Sequence, residues 1–257
     1  MILCLDIGNS HIFGGVFDGQ DLKLTFRKPT SRNTSSDELG LFFRSVLREN
    51  AFDPDSIAEA ALCSVVPEMI YSVSASIQKY FGIQPFILKA GVKTGLKVLY
   101  RNPLEVGADR IAGAIAGTER YPGEDLLIID LGTATTVEVI RGGREYLGGV
   151  IMPGLNLSMQ ALDQGTSRLS SVEILRPSGY LGQTTATSIQ SGLYHGHLGA
   201  LREISEGMTR EVFSGTAPRA IATGGFAHLF RDTGLFSEIV PDLVLRGLLR
   251  ALAMNRN

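Results

Sequence analysis

The sequence predicts an α/β chain of two similar lobes, each a mixed sheet with flanking helices, with a cleft between them. Three observations carry that prediction. The opening ILCLDIGNSHIFGGV from Ile2 is matched by LLIIDLGTATTVEVI from Leu126: an apolar strand, an aspartate, an apolar residue, a glycine, small polar residues, then strand-like alternation. A repeat separating Asp6 from Asp130 by about half the chain implies two related lobes rather than a solenoid. Strand-like and helix-like segments alternate along both halves. No low-complexity linker separates the halves, so the lobes are expected to join compactly, as 1–118 and 119–257.

The elements follow in order. Ile2 to Leu5 reads as a buried strand stopped by Asp6 and Gly8; strands from Gly14 and from Leu22 to Phe26 complete an antiparallel meander. Ser36 to Glu49 carries Leu39, Phe42, Phe43, Val46 and Leu47 at helical spacing, with Ser36 as the expected cap. Ala60 to Val66 returns to strand before Pro67, a helix runs from Tyr71 to Phe81 and stops at Gly82, and Pro85 to Leu88 is a short strand. The small residues of GADRIAGAIAGTER, 107–120, predict a tightly packed helix. In the second half, REYLGGVIMPG reads as strand and turn, Leu155 to Leu162 and Thr187 to Glu206 as helices, and the stretch around Thr223 as a strand and turn. Leu243, Leu245, Leu248, Leu249 and Leu252 place a last helix between Asp242 and Met254.

Composition narrows the function. With 44% hydrophobic and 19% charged residues the chain is an ordinary globular protein that can bury a core. A net charge of −2 gives no basic face for a phosphate backbone, which argues against nucleic acid. Cys4 and Cys63 lie in apolar runs without metal-site spacing and read as buried thiols. MILCLDIGNS has no basic n-region, and no apolar run approaches the roughly 20 residues that cross a bilayer, so neither a signal peptide nor a membrane span is expected and the cytoplasm is the default compartment.

The chemistry sits in the repeated turns. Asp6-Ile7-Gly8-Asn9-Ser10 lacks the lysine and glycine spacing of a P-loop. A strand ending in aspartate with glycine next but one can instead offer N–H groups and hydroxyls to phosphate while the carboxylate faces a cation or a bound water. One such turn alone is an everyday strand end; two in matching contexts suggest a polyphosphate gripped from both sides. Ala222-Thr-Gly-Gly225 suits close backbone approach to a base or ribose, or an ordinary tight turn. Asp109, in Gly107-Ala108-Asp109-Arg110, either stabilises a helix end or serves as a general base beside a guanidinium that neutralises phosphoryl charge. His195 and His197 point apart on a helix and form no metal pattern with His11, and His228 reads as a surface or packing residue.

With DIGNS, VVPE, Tyr100-Arg-Asn-Pro-Leu-Glu-Val-Gly-Ala-Asp-Arg, DLGTATT, GGVIMPG, TSIQSG and TGGFA in that order, the chain resembles the type III pantothenate kinases over nearly its whole length. That family belongs to the acetate-and-sugar-kinase/Hsp70/actin superfamily, and GADR after YRNP and before DLGTATT is its most discriminating piece. The resemblance implies ribonuclease H-like, actin-like lobes and a homodimeric cytoplasmic enzyme that phosphorylates pantothenate with ATP in the first step of coenzyme A biosynthesis. It implies an ATP-phosphate loop of Asp6, Ile7, Gly8, Asn9, Ser10, His11, Ile12 and Phe13, with Thr133 contacting ATP from the second loop. Asp130 would coordinate a monovalent cation, K⁺ or NH₄⁺, needed beside Mg²⁺. Tyr100, Gly107, Ala108, Asp109, Arg110 and Thr185 would hold pantothenate, with Asp109 as proton acceptor; Thr184 and Thr187 flank Thr185, and spacing to SIQSG selects it. Ser10 stands where the family often has Thr and keeps the hydroxyl. Other readings of the scaffold are a kinase for another hydroxylated metabolite, a polyphosphate hydrolase, or a non-catalytic regulatory protein.

Overall fold

The computed structural model describes residues 1–256. In chain order it contains β1 (Ile2–Ile7), β2 (His11–Asp18), β3 (Asp21–Pro29), α1 (Ser36–Glu49), β4 (Glu59–Ser64), α2 (Pro67–Phe81), β5 (Phe86–Ile87), β6 (Lys97–Val98), α3 (Ala108–Arg120), β7 (Leu126–Leu131), β8 (Ala134–Arg141), β9 (Glu145–Pro153), α4 (Leu155–Gly165), α5 (Thr185–Val212), β10 (Arg219–Thr223), β11 (Glu238–Ile239) and α6 (Leu243–Met254). These fall into two compact units. Unit 1 holds 1–96, 101–116 and the residues from Asp242 onward; unit 2 holds 97–100 and 117–241.

In unit 1 the sheet order is β3-β2-β1-β4-β5. The first three strands form an antiparallel meander, and β4 and β5 add in parallel. Period-two alternation along β1 sorts its side chains onto two faces. Leu3, Leu5 and Ile7 join Leu39, Phe43, Met69 and Val73 of α1 and α2 in one core. Ile2 and Cys4 face the other way and join Ala112, Ile115, Leu245 and Leu248 of α3 and α6. Asp6 is the next residue in that second row.

Unit 2 repeats the plan. Its sheet order is β11-β10-β7-β8-β9-β6, so β9-β8-β7-β10-β11 corresponds strand for strand to β3-β2-β1-β4-β5, with β6 added at the edge. The likeness reaches single residues: β1 and β7 share the pattern of four buried positions, a half-buried aspartate and one buried position. Both meanders also carry an irregularity at the equivalent place, Val16/Phe17 and Val139/Ile140. Leu127, Ile129 and Leu131 pack with α4 and α5.

Several boundaries differ from the sequence reading. The cap of α1 is Ser35, because Ser35 and Glu38 have the spacing of a reciprocal capping box and satisfy each other's backbone N–H groups. Helix α2 begins at Pro67, whose fixed φ and missing N–H suit a first turn. Strand β2 starts at His11, held across from Pro29 of β3. Helix α5 runs to Val212. The two-residue strands β6 and β11 are too short to carry a periodic signal.

Candidate active site

In unit 1, β1 delivers Asp6 half-buried at its carboxyl end, and the chain turns through Gly8, Asn9 and Ser10 before β2. The turn is pinned from several sides: Gly8 N–H donates to the His11 carbonyl at 3.0 Å, the Thr30 hydroxyl to the Gly8 carbonyl at 2.7 Å, and Thr30 N–H to the Ser10 carbonyl at 3.0 Å. Asn9, Ser10 and His11 remain exposed, so the loop offers polar groups outward from a fixed backbone, while Ile12 and Phe13 continue into β2 as buried and half-buried anchors.

The parallel register of β1 and β4 places Cys63 opposite Asp6. The thiol is fully buried and its Sγ donates to Asp6 Oδ1 at 3.4 Å. Burial first, then the carboxylates of Asp6 and Asp109, hold this thiol well above its ordinary range. Asp6 and Asp109 therefore lie close enough to one buried atom for both fields to reach it. Asp109 sits in the first turn of α3, and its Oδ1 accepts the Arg110 N–H at 2.7 Å. Glycine at 107 leaves room for that carboxylate, since a Cβ there would come 2.5 Å from Asp109 Oδ1. Cys4, one step back along β1, is likewise buried and its thiol is pushed up by desolvation.

In unit 2, Asp130 ends β7 as Asp6 ends β1. Glycines crowd it: a Cβ on Gly224 would lie 2.4 Å from its Oδ1, and one on Gly132 3.2 Å. Gly224 has φ +89, a left-handed conformation, and the Phe226 N–H donates to the Leu131 carbonyl at 3.1 Å. TGGF and DLGT thus form one knot of backbone around a carboxylate. Thr133 lies half-buried at the turn, its carbonyl accepting the Gly154 N–H at 3.2 Å, just where α4 begins. The polar groups this turn carries are the Asp130 carboxylate, the Thr133 hydroxyl and backbone carbonyls, hard oxygens that fit K⁺ or Mg²⁺ rather than a thiophilic metal. Among the described residues no three His, Cys, Asp or Glu side chains gather as a cage. A cation held by one carboxylate and by substrate oxygens needs no such cage.

A family description of the type III pantothenate kinases matches residues 2–207. This chain belongs to that family. A type III pantothenate kinase of Legionella pneumophila is 54% identical over 99% of both chains. Two solved structures share the fold at low identity. One is a Campylobacter jejuni protein provisionally assigned to the Baf family of transcriptional activators (TM-score 0.62, 18% identity, 98% of each chain). The other is a Sinorhizobium meliloti protein provisionally described as a 2-dehydro-3-deoxygalactonokinase (TM-score 0.62, 11% identity, 98% of each chain). Membership makes the chain a kinase, an ATP-using phosphotransferase, and the paired mixed sheets are its actin-like fold. Among the described residues no helix is long and apolar enough to cross a membrane.

For this pantothenate kinase family member, the remaining candidates lie as follows. Tyr100 is half-buried and belongs to unit 2, whereas Gly107, Ala108, Asp109 and Arg110 belong to unit 1. Thr185 opens α5 on a depression of about 720 Å³ lined also by Leu162, Leu169, Ser188 and Ile189. Its neighbours are committed to the helix end: Thr184 Oγ1 accepts the Thr187 N–H at 3.2 Å, and Thr187 Oγ1 accepts the Thr184 N–H at 3.0 Å. Sequence reasoning gave no role to Cys63, Glu138 or His197. Cys63 becomes meaningful only through the β1–β4 register. His197 is buried in α5 and its Nε2 lies 2.9 Å from Thr135 Oγ1, behind the second loop, while the His195 ring stacks on Tyr180 at 3.8 Å. Glu138, a lone acid in the apolar run VEVI, was the one that could have been noticed.

Proposed function

We propose that the enzyme phosphorylates pantothenate from ATP, with Asp109 accepting the proton of the primary hydroxyl as that oxygen attacks the γ-phosphorus in line, giving 4′-phosphopantothenate and ADP. Asp6 through Phe13 form the first phosphate loop, and Thr133 contacts ATP from the second. Asp130 would hold a monovalent cation, K⁺ or NH₄⁺, and Mg²⁺ would accompany the nucleotide at the loop that Asp6 opens. These ions supply charge neutralisation for the polyphosphate. Tyr100, Gly107, Ala108, Arg110 and Thr185 hold pantothenate, with Arg110 supplying positive charge for its carboxylate or for the transferred phosphoryl group. The enzyme works in the cytoplasm as a homodimer, for which the exposed Leu157, Tyr180 and Leu181 of unit 2 offer apolar surface.

The observation that carries this reading is the buried Cys63 thiol, which donates to Asp6 Oδ1 at 3.4 Å and is also pushed up by the field of Asp109. It supports a phosphate-loop acid and a base working at the same strand end. Phosphoryl transfer asks a protein mainly for alignment and electrostatic stabilisation, and a base contributes on top of these. Asp109→Asn is therefore expected to keep the melting temperature and ATP affinity of the parent while turnover, followed as ADP release with pantothenate and K⁺, falls by about two to four orders of magnitude. Turnover within severalfold of the parent would remove Asp109 from the role.

A further inference from the structure

The half-buried ring of Tyr100 rests on an unusual support, contained entirely in unit 2. Backbone bonds from β9 and the residue before it stitch down the chain that leads to it: Lys97 N–H donates to the Arg144 carbonyl at 2.9 Å, and Leu99 N–H to the Tyr146 carbonyl at 2.8 Å. Lys97 Nζ also meets Glu145 Oε1 at 2.9 Å. The ring of Tyr100 then lies over Gly148, where a Cβ would stand 3.0 Å from its Cε2 and 3.1 Å from its Cδ2. Gly148 has φ +127, which side-chain-bearing residues rarely adopt. Beside it the ring of Tyr146 packs against Tyr100, centroids 6.5 Å apart and planes tilted by 56°.

Tyr146 is fully buried, and its hydroxyl donates to Glu138 Oε2, a carboxylate only 2% exposed. A buried acid is a costly way to fill space, and an apolar pair of similar volume would commonly be as stable or more so. What the acid adds is direction. A phenol anchored at its far end cannot slide or rotate out of plane as a phenylalanine could, so the face it presents to Tyr100 is fixed.

We infer that Glu138 and Tyr146, with Gly148, form a positioning platform that sets the orientation of Tyr100 for pantothenate. Neither Glu138 nor Tyr146 touches the substrate; both act through the Tyr100 ring. The inference rests on the reading of Tyr100 as a pantothenate contact.

The test is a set of four variants, Tyr100→Ala, Tyr146→Phe, Glu138→Gln and the double Glu138→Met/Tyr146→Phe. Each is assayed for KM of both substrates, for kcat, for pantothenate affinity by calorimetry and for melting temperature. The platform predicts that Tyr146→Phe and Glu138→Gln raise KM and Kd for pantothenate about 5- to 20-fold, with KM for ATP and kcat within about threefold of the parent. The double variant removes both ends of the bond together, so it should recover stability relative to the single variants but still bind pantothenate weakly. If pantothenate affinity returns together with stability, or if both KM values rise in parallel, the pair is structural and the inference fails. If Tyr100→Ala weakens pantothenate at least tenfold while the other variants stay within twofold, the platform fails and the reading of Tyr100 stands. If Tyr100→Ala changes nothing, that reading fails and the platform with it. Should one single variant not fold, the other and the double carry the same comparison.

Discussion

Cys63 gives Asp6 a direction. Its S–H is held opposite the carboxylate by strand register, so Asp6 Oδ1 has one partner that no solvent fluctuation removes. Serine can make the same bond and valine cannot, so Cys63→Ser is expected to keep ATP turnover within about twofold while Cys63→Val loses roughly 5- to 10-fold, about 1–1.4 kcal/mol, the size of a typical net hydrogen bond. Equal losses in both would show that volume, not the bond, matters. Burial, joined at Cys63 by the nearby carboxylates, keeps the thiols of Cys63 and Cys4 protonated, so neither should react with an aromatic disulfide reagent until the protein is unfolded. His197 gives the residue-scale pH dependence. Desolvation lowers its pKa from 6.5, so the folded state favours the neutral ring. The unfolded chain then binds the extra proton first. The stabilisation is complete above about pH 6.5 and drains away as pH falls below it, by up to about 1.4 kcal/mol per pH unit. Melting temperatures taken from pH 8 to pH 5 should fall more steeply for the parent than for His197→Asn; parallel curves would mean that His197 titrates alike in both states.

Among the elements, α6 and α3 cross closely enough that a glycine decides the distance. A Cβ on Gly247 would lie 1.8 Å from the Ala112 carbonyl oxygen and 2.4 Å from its carbon. Backbone cannot yield as a flexible side chain does, so Gly247→Ala should destabilise by about 3 kcal/mol or more by denaturant titration. Gly207 in α5 is the control, because a Cβ there meets nothing within 4 Å; Gly207→Ala should stabilise by about 0.5–1 kcal/mol through helix propensity alone. The reverse order would refute the packing argument. This contrast also marks where the sequence stops being readable. The long elements were legible because their periods are strong, and the paired DxG turns were legible because β1 and β7 repeat the same burial pattern. Partnerships across strands were not: Cys63 with Asp6 depends on register, and β6, which carries Tyr100 to its support, is two residues long and set by β9 rather than by its own composition. The cap at Ser35 was within reach, since its glutamate stands three residues on.

For the molecule as a whole, the order of elements and the grouping into units are different things. Unit 1 is not a continuous stretch, because α6, at the far end of the sequence, belongs to it. There it supplies Leu243, Val244, Leu245, Leu248, Leu249, Ala251 and Leu252 as buried residues. Val244, Leu245, Leu248, Leu249, Ala251 and Leu252 join the core over the second face of the first sheet, against Ile2, Cys4, Phe17, Ala61 and Cys63. Each fully buried leucine is worth about 1.5–3 kcal/mol. Losing the four leucines of that core forfeits roughly 6–12 kcal/mol, as much as the entire 5–15 kcal/mol by which ordinary domains are stable. A fragment of residues 1–118 should therefore show no cooperative melting transition and should bind a dye specific for exposed apolar surface. The same fragment with 242–256 joined ahead of Met1 through a flexible linker should fold, with a sigmoidal melt and dye binding at background. The first fragment melting as cooperatively as the second would mean that the apolar face of α6 contributes little, and that β1 to β5 with α1 to α3 already hold a sufficient core.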